Sequence, residues 1–145
     1  MILLPSALEL LENKIIIMNS LIIDAAKDEF FFTHIVDKNT YTSSHENSKI
    51  NFEKMMLLIN EFLKYNGSSL DYLDAIYVNK GPGSFAAIRN SLSTIKALFL
   101  TKKIDYYCFS FQDFKGFDEI KYEDVPNLCE QFKIRKNLIN PIYLS

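Results

Sequence analysis

The chain has 145 residues, 48% hydrophobic and 23% charged, with twelve Phe and eight Tyr, a composition that suits one soluble domain with a real core. A net charge of −2 and a pI near 5.7 leave no basic footprint for gripping a polyphosphate backbone unaided. Cys108 and Cys129 lack C-x-x-C spacing and read as reduced residues of a cytoplasmic protein, one in a strand and one on a helix.

In residues 1–17, Ser6 and Glu9 stand at capping-box spacing around Leu8, Leu10 and Leu11, which predicts a short helix. Glu9 and Glu12 interrupt the apolar run and no basic residue precedes it, so neither a secretory signal nor a membrane span is expected. The segment is read as an appendage or the product of an upstream start, with no functional weight.

Strands are predicted over 21–25, 30–36 and 40–44, with Asp37-Lys38-Asn39 as a hairpin turn. Asp24, at the end of the first strand, reads as an exposed turn aspartate. A helix is predicted from Asn51 to Tyr65, stopped by Asn66-Gly67. Phe52, Met55, Met56, Ile59, Phe62 and Leu63 fill one face, and Leu57 and Leu58 carry the apolar surface round the side. A helix apolar on more than one face is buried on more than one face. It is either a core helix of one compact domain or a partner helix, whose methionines suit an adaptable contact.

The unit from Asp74 to Lys103 is the most informative. Asp74 to Asn79 reads as a buried strand, and Lys80-Gly81-Pro82-Gly83-Ser84 as a tight loop with Ser84 at the N-cap of a helix opening at Phe85. Phe85, Ile88, Leu92, Ile95 and Phe99 form a stripe expected to face a sheet, whereas Ala87, Ser91, Thr94 and Ala97 form a small-residue face expected to point away and admit another backbone. A glycine turn between strand and helix suits an anion. Its spacing nevertheless fails the phosphate-loop, dinucleotide and hydrolase-elbow patterns, so a structural turn is the favoured reading. Ser84 has no base beside it in the sequence and is read as a cap rather than a nucleophile. Arg89, in the first helical turn, is read as an ion-pair or loop-contact residue.

Beyond this unit, 105–110 reads as a strand, 111–123 has no clear period, 124–136 reads as a helix with Val125, Leu128, Cys129 and Phe132 as its stripe, and the tail from Leu138 is extended. Lys133, Arg135 and Lys136 read as a solvated helix end. His34 and His45, on separate predicted strands, offer no metal pair.

Asp74 to Arg89 resembles the signature of the TsaB family, subunits of bacterial tRNA threonylcarbamoyladenosine biosynthesis once grouped with glycoproteases. The family pattern L-D-A-I-x-V-x-x-G-P-G-S-F-T-G-[LI]-R is kept except for the Thr-Gly pair, here Ala86-Ala87. Leu21-Ile22-Ile23-Asp24 resembles the family's first strand, with Ala25-Ala26 in place of Thr-Ser. Asn51 to Met56 resembles H-S-E-x-L-L, and Pro141-Ile142-Tyr143-Leu144 the closing P-x-Y-L-R, ending in Ser145.

The resemblance implies an α/β fold, a single ribonuclease-H-like (actin-like ATPase) lobe with helices packed on a mixed sheet. Residues 18–110 are the lobe, and 111–145 a short remnant where relatives have a second lobe. It implies a non-catalytic scaffold that binds a TsaD paralogue through Met55, Met56, Leu58, Phe62, Ala87, Ser91 and Thr94, with Gly81, Pro82, Gly83, Ser84, Phe85 and Arg89 as the signature loop. No catalytic, cofactor or metal residue is assigned. An actin-like nucleotide site lies between two lobes, so ATP and metal are expected in TsaD, with a TsaE-like ATPase as a further partner and tRNA reached through the complex. The rival readings are a peptidase-like or nucleotide-binding enzyme, which would need a dyad around Ser84 or Asp24, and a self-associating homodimer.

Overall fold

The computed structural model describes residues 19–142. The helix predicted in residues 1–17 and the Tyr143-Leu144-Ser145 end of the closing motif lie outside them. The elements are β1 (Ser20–Asp24), β2 (Glu29–Val36), β3 (Asn39–Glu46), α1 (Lys49–Glu53), α2 (Met55–Tyr65), β4 (Ala75–Asn79), α3 (Phe85–Lys102), β5 (Asp105–Phe109) and α4 (Val125–Gln131).

The five strands form one mixed sheet in the order β3-β2-β1-β4-β5. β1 and β3 both run antiparallel to β2, whereas β4 runs parallel to β1 and to β5. This is the ribonuclease-H-like arrangement expected. The first hairpin turns tightly, with Val36 opposite Asn39 and Asp37 at φ 54°. β1 and β4 are buried along their whole length, as a central parallel pair covered on both faces must be.

The front layer comprises α1, α2 and α3. The helix predicted as one from Asn51 is two. Ser48 caps α1 by accepting the Asn51 N–H, and the backbone leaves helical geometry at Lys54 before α2 begins. This places Phe52 against the ring of Phe30, 6.2 Å between centroids, while Met55 enters the core. Met55, Ile59, Phe62 and Leu63 of α2 and Ile88, Leu92, Ile95 and Leu98 of α3 pack on Ile23, Phe30, Phe32, Ile76 and Val78. Each such side chain contributes roughly 1.5–3 kcal/mol on leaving water.

Residues 111–134 form the third layer, on the sheet's other face, and beyond them Ile139 returns to pack against the front cluster. Phe114, Val125, Leu128 and Cys129 cover Ile22, Ala75, Tyr77 and Phe109. The stretch from Phe111 lacks a period because its aromatics sit in short 3-10 turns and pack ring on ring, Phe114 against Phe109 at 5.9 Å and against Phe132 at 5.7 Å. α4 is shorter than predicted, since Lys133 adopts φ 55° and the Ile134 N–H turns back to the Cys129 carbonyl at 2.9 Å. The chain then closes the β5 edge. Asn137 donates its N–H to the Tyr106 carbonyl at 2.8 Å and accepts the Tyr106 N–H through Oδ1 at 2.9 Å, so that edge is not left bare. Cys108 lies in β5 and Cys129 in α4, as expected; both are buried, and burial pushes their thiols up to about 12, leaving them protonated.

One core residue carries a pH signature. His34, fully buried on β2, donates from Nε2 to Asn19 Oδ1 at 2.7 Å and accepts at Nδ1 from the Asn66 amide at 3.4 Å. That pairing satisfies the neutral ring and opposes a second proton, and burial lowers its pKa below the ordinary 6.5. The stabilisation is therefore complete above about pH 6.5 and is lost as pH falls through 6.5, where the unfolded chain binds a proton the folded chain refuses. Urea midpoints should fall between pH 7.5 and 5.5, and His34→Gln should flatten part of that slope. His45, also lowered by burial but raised by Glu61, accounts for some of the remainder.

Candidate functional site: loop end of the sheet and outer helix face

The carboxyl ends of β1 and β4 lie side by side, bringing the β1–β2 turn against the loop that leads into α3. Gly83 makes that approach possible. A Cβ there would lie 2.8 Å from the Cα of Ala26 and 2.9 Å from its Cβ. Ala26 is thus a packing surface for the loop.

Asp24 organises this end and corrects the expectation of an exposed turn aspartate, for it is wholly buried. Its Oδ1 accepts the Ala26 N–H at 3.1 Å and the Asn79 amide at 3.0 Å, and its Oδ2 accepts the Tyr122 hydroxyl at 2.6 Å. Lys27 Nζ stands 3.8 Å from Oδ2, with its charge over the rings of Tyr122 and Phe111. Burial and the bond to Asp24 hold the Tyr122 phenol far above its usual range, so it is a donor at any working pH. Asn79 Oδ1 in turn accepts the Gly81 N–H at 2.9 Å. Two loop amides that could have met a phosphate are taken up by side chains of this chain.

The closing segment finishes the seal. The Ile142 N–H donates to the Lys80 carbonyl at 2.7 Å, and Gly81, at φ 115°, faces the Ile142 carbonyl so closely that a Cβ would lie 2.0 Å from that oxygen. Lys80 is held 3.8 Å from Asp113 and 3.4 Å from Asn140 Oδ1. Pro82 is half-buried between the two enclosed glycines. Ser84 is the N-cap, its Oγ accepting the Ala87 N–H at 3.4 Å. Arg89 lies with its guanidinium 5.7 Å from the centre of the Phe85 ring. Among the described residues no group of three His, Cys, Asp or Glu side chains could hold a metal ion.

The helix face requires a second correction. Ala87 and Ser91 point into the core, fully buried, and the Ser91 hydroxyl donates to the Ile88 carbonyl at 2.9 Å. Phe85, expected on the sheet side, is 53% exposed. Ala87 and Ser91 pack inward beside Ile88, Leu92 and Ile95, which face the sheet as expected, whereas Ala97 of the small face is exposed; the close approach of α3 to its neighbours in the front layer needs short side chains. Met55 and Phe62 are buried too, Phe62 with its ring 5.9 Å from Phe32. Of the predicted interface residues, Met56, Leu58 and Thr94 are half-buried. Sequence reasoning left out Ile50, 63% exposed, and gave Leu57, 53% exposed, only a flanking place. It missed Asn79 and Tyr122 entirely. Asn79 ends a strand beside a glycine turn, which was a usable signal; Tyr122 sits in a stretch without period, which gave none.

Residues 42–110, just under half of the chain, match the family model described as TsaD: tRNA N6-adenosine threonylcarbamoyltransferase. Among solved structures, YeaZ from Pseudomonas aeruginosa aligns with a TM-score of 0.59 at 16% identity, over 64% of this chain and 44% of that one. A crystal structure described as an uncharacterized protein with similarity to peptidase YEAZ, from Pseudomonas aeruginosa, aligns with the same TM-score and identity over 64% of this chain and 43% of that one. No curated protein sequence matches the chain. The aligned region spans less than half the length of the YeaZ structures. No described helix is long and apolar enough to cross a membrane. The chain thus carries a segment similar to the threonylcarbamoyltransferase family model and shares its fold with part of the YeaZ structures.

Proposed function

We propose that this chain is a non-catalytic scaffold subunit that docks on a TsaD-like catalytic paralogue and supports threonylcarbamoylation of the tRNA adenosine next to the anticodon. The observation that carries the reading is the outer surface of the front layer, where Ile50, Leu57 and Phe85 stay more than half exposed beside the half-buried Met56 and Leu58. Large apolar side chains left outside a well-filled core suit burial by another protein. The interface moves accordingly from Met55, Ala87 and Ser91 to Ile50, Met56, Leu57, Leu58 and Phe85. Phe62 lies beneath it and Thr94 at its margin.

The loop end supports assigning chemistry to the partner. Asp24, Asn79 and Gly81 satisfy one another there and Ile142 bonds the Lys80 carbonyl, so ATP and metal belong to the TsaD-like subunit, a TsaE-like ATPase services the assembly, and tRNA is held by the complex in the cytoplasm. Ser84 spends its hydroxyl on a helix cap, which disfavours the peptidase reading. Reconstituted threonylcarbamoyladenosine synthesis tests the scaffold. Leu57→Glu, on an exposed position, should leave the urea midpoint unchanged and weaken stimulation about tenfold or more, as charge in an apolar interface does. Unchanged stimulation would contradict it.

A further inference from the structure

On another flank of α3, a groove of about 450 Å³ runs between the helix and the closing segment. Its helix wall is Arg89, Leu92, Ser93, Lys96, Ala97 and Leu100, and Ile139 and Pro141 form the opposite wall. Arg89, Ser93, Lys96 and Leu100 recur at three- and four-residue steps, about half a turn round from Ala87, Ser91 and Thr94. This surface therefore faces away from the buried Ala87 and Ser91, and of the small residues only the exposed Ala97 borders it.

The groove is apolar along its floor and cationic along its rim. Leu92 is buried at 4% exposure while Leu100 stands 65% exposed. Lys96 is set over Phe99 with Nζ 5.4 Å from the ring centre, and Arg89 over Phe85. No acidic residue lines the groove, and among the described residues neither cation is within ion-pair distance of a carboxylate. The aromatic contacts hold both charges in place without neutralising them. Seven residues separate them, two helical turns or about 10 Å along the axis.

We propose that this groove docks an acidic amphipathic helix of a partner protein. Leucine-like side chains of that helix fill the floor over Leu92, Leu100 and Ile139, and two carboxylates spaced two turns apart meet Arg89 and Lys96. A helix fits because its own carboxylates at seven-residue spacing repeat the distance between the two cations. The surface is distinct from the one assigned to the TsaD-like paralogue, so the proposal stands whether or not that assignment holds.

The test uses the full chain and a labelled synthetic helix whose leucines repeat at three- and four-residue steps, with two glutamates seven residues apart beside them. A control peptide carries lysines in place of those glutamates. Anisotropy titrations should show the glutamate peptide binding at least about tenfold more tightly than the control, weakening with salt, with the preference inverted by combining Arg89→Glu and Lys96→Glu. Leu100→Gln should weaken the glutamate peptide without inverting the preference, and all these exposed changes should leave the urea midpoint in place. Equal binding of the two peptides, or no binding, overturns the proposal. Anionic vesicles bound as tightly as the peptide, or self-association that competes with it, overturn it too, because the groove would then belong to a lipid surface or a second copy.

Discussion

Asp24→Ala should lower the free energy of unfolding by about 3–5 kcal/mol, the cost of removing one partner from a buried, charge-assisted network. The substitution deletes the acceptor for three donors at once, the Ala26 N–H, the Asn79 amide and the Tyr122 hydroxyl. None of them can turn to water without opening the contact between the β1–β2 turn and the third layer. Tyr122→Phe removes a single donor and leaves Asp24 two partners, so about 1–3 kcal/mol is expected. The two variants share a partner, so the double variant should cost less than their sum. Urea unfolding at constant slope measures all three, and an Asp24→Ala midpoint unchanged from wild type would show that the network does not hold this end of the sheet together.

Gly81→Ala should cost about 2–4 kcal/mol, combining a strained positive φ with a backbone clash. The new methyl would meet the Ile142 carbonyl at 2.0 Å, and that neighbour is backbone rather than a side chain that can swing aside. Relief requires the closing segment to move, which breaks the hydrogen bond from the Ile142 N–H to the Lys80 carbonyl. The loss should therefore be accompanied by faster hydrogen exchange at the Ile142 amide, with little change at Val78 in the middle of β4. Uniformly faster exchange across β4 would mean that the glycine supports the whole sheet and not the seal alone.

The order of strands and helices was legible because its signals are local: alternation or apolar runs for the strands, a capping serine at Ser84, and a glycine stop after Asn66. The ends of elements were harder. One predicted helix breaks at Lys54 and another stops at Gln131, and both positions are decided by what the flanking aromatics pack against. The inward arc of α3 is wider than the predicted stripe: Ile88, Leu92 and Ile95 face the sheet as expected, but Ala87 and Ser91 join them, because they carry little hydrophobicity to mark them in the sequence while short side chains are what close packing of neighbouring helices demands. The consequence is practical. Met55→Glu and Ser91→Arg, which a face pointing outward would tolerate, instead place charge in the core and should unfold the lobe. Asp24 was misread for a related reason, since the residue that encloses it, Tyr122, lies 98 positions away in sequence and in a stretch with no periodic pattern.

The proposed docking through the outer helices is tested most directly by the molar mass, from light scattering, of the chain mixed with its cognate TsaD-like protein. A stable mixed complex is expected for the wild-type chain and none for Leu57→Glu at the same concentrations, with both forms equally folded. A chain that stays apart from TsaD, or a Leu57→Glu variant that joins it as well as wild type, would contradict it.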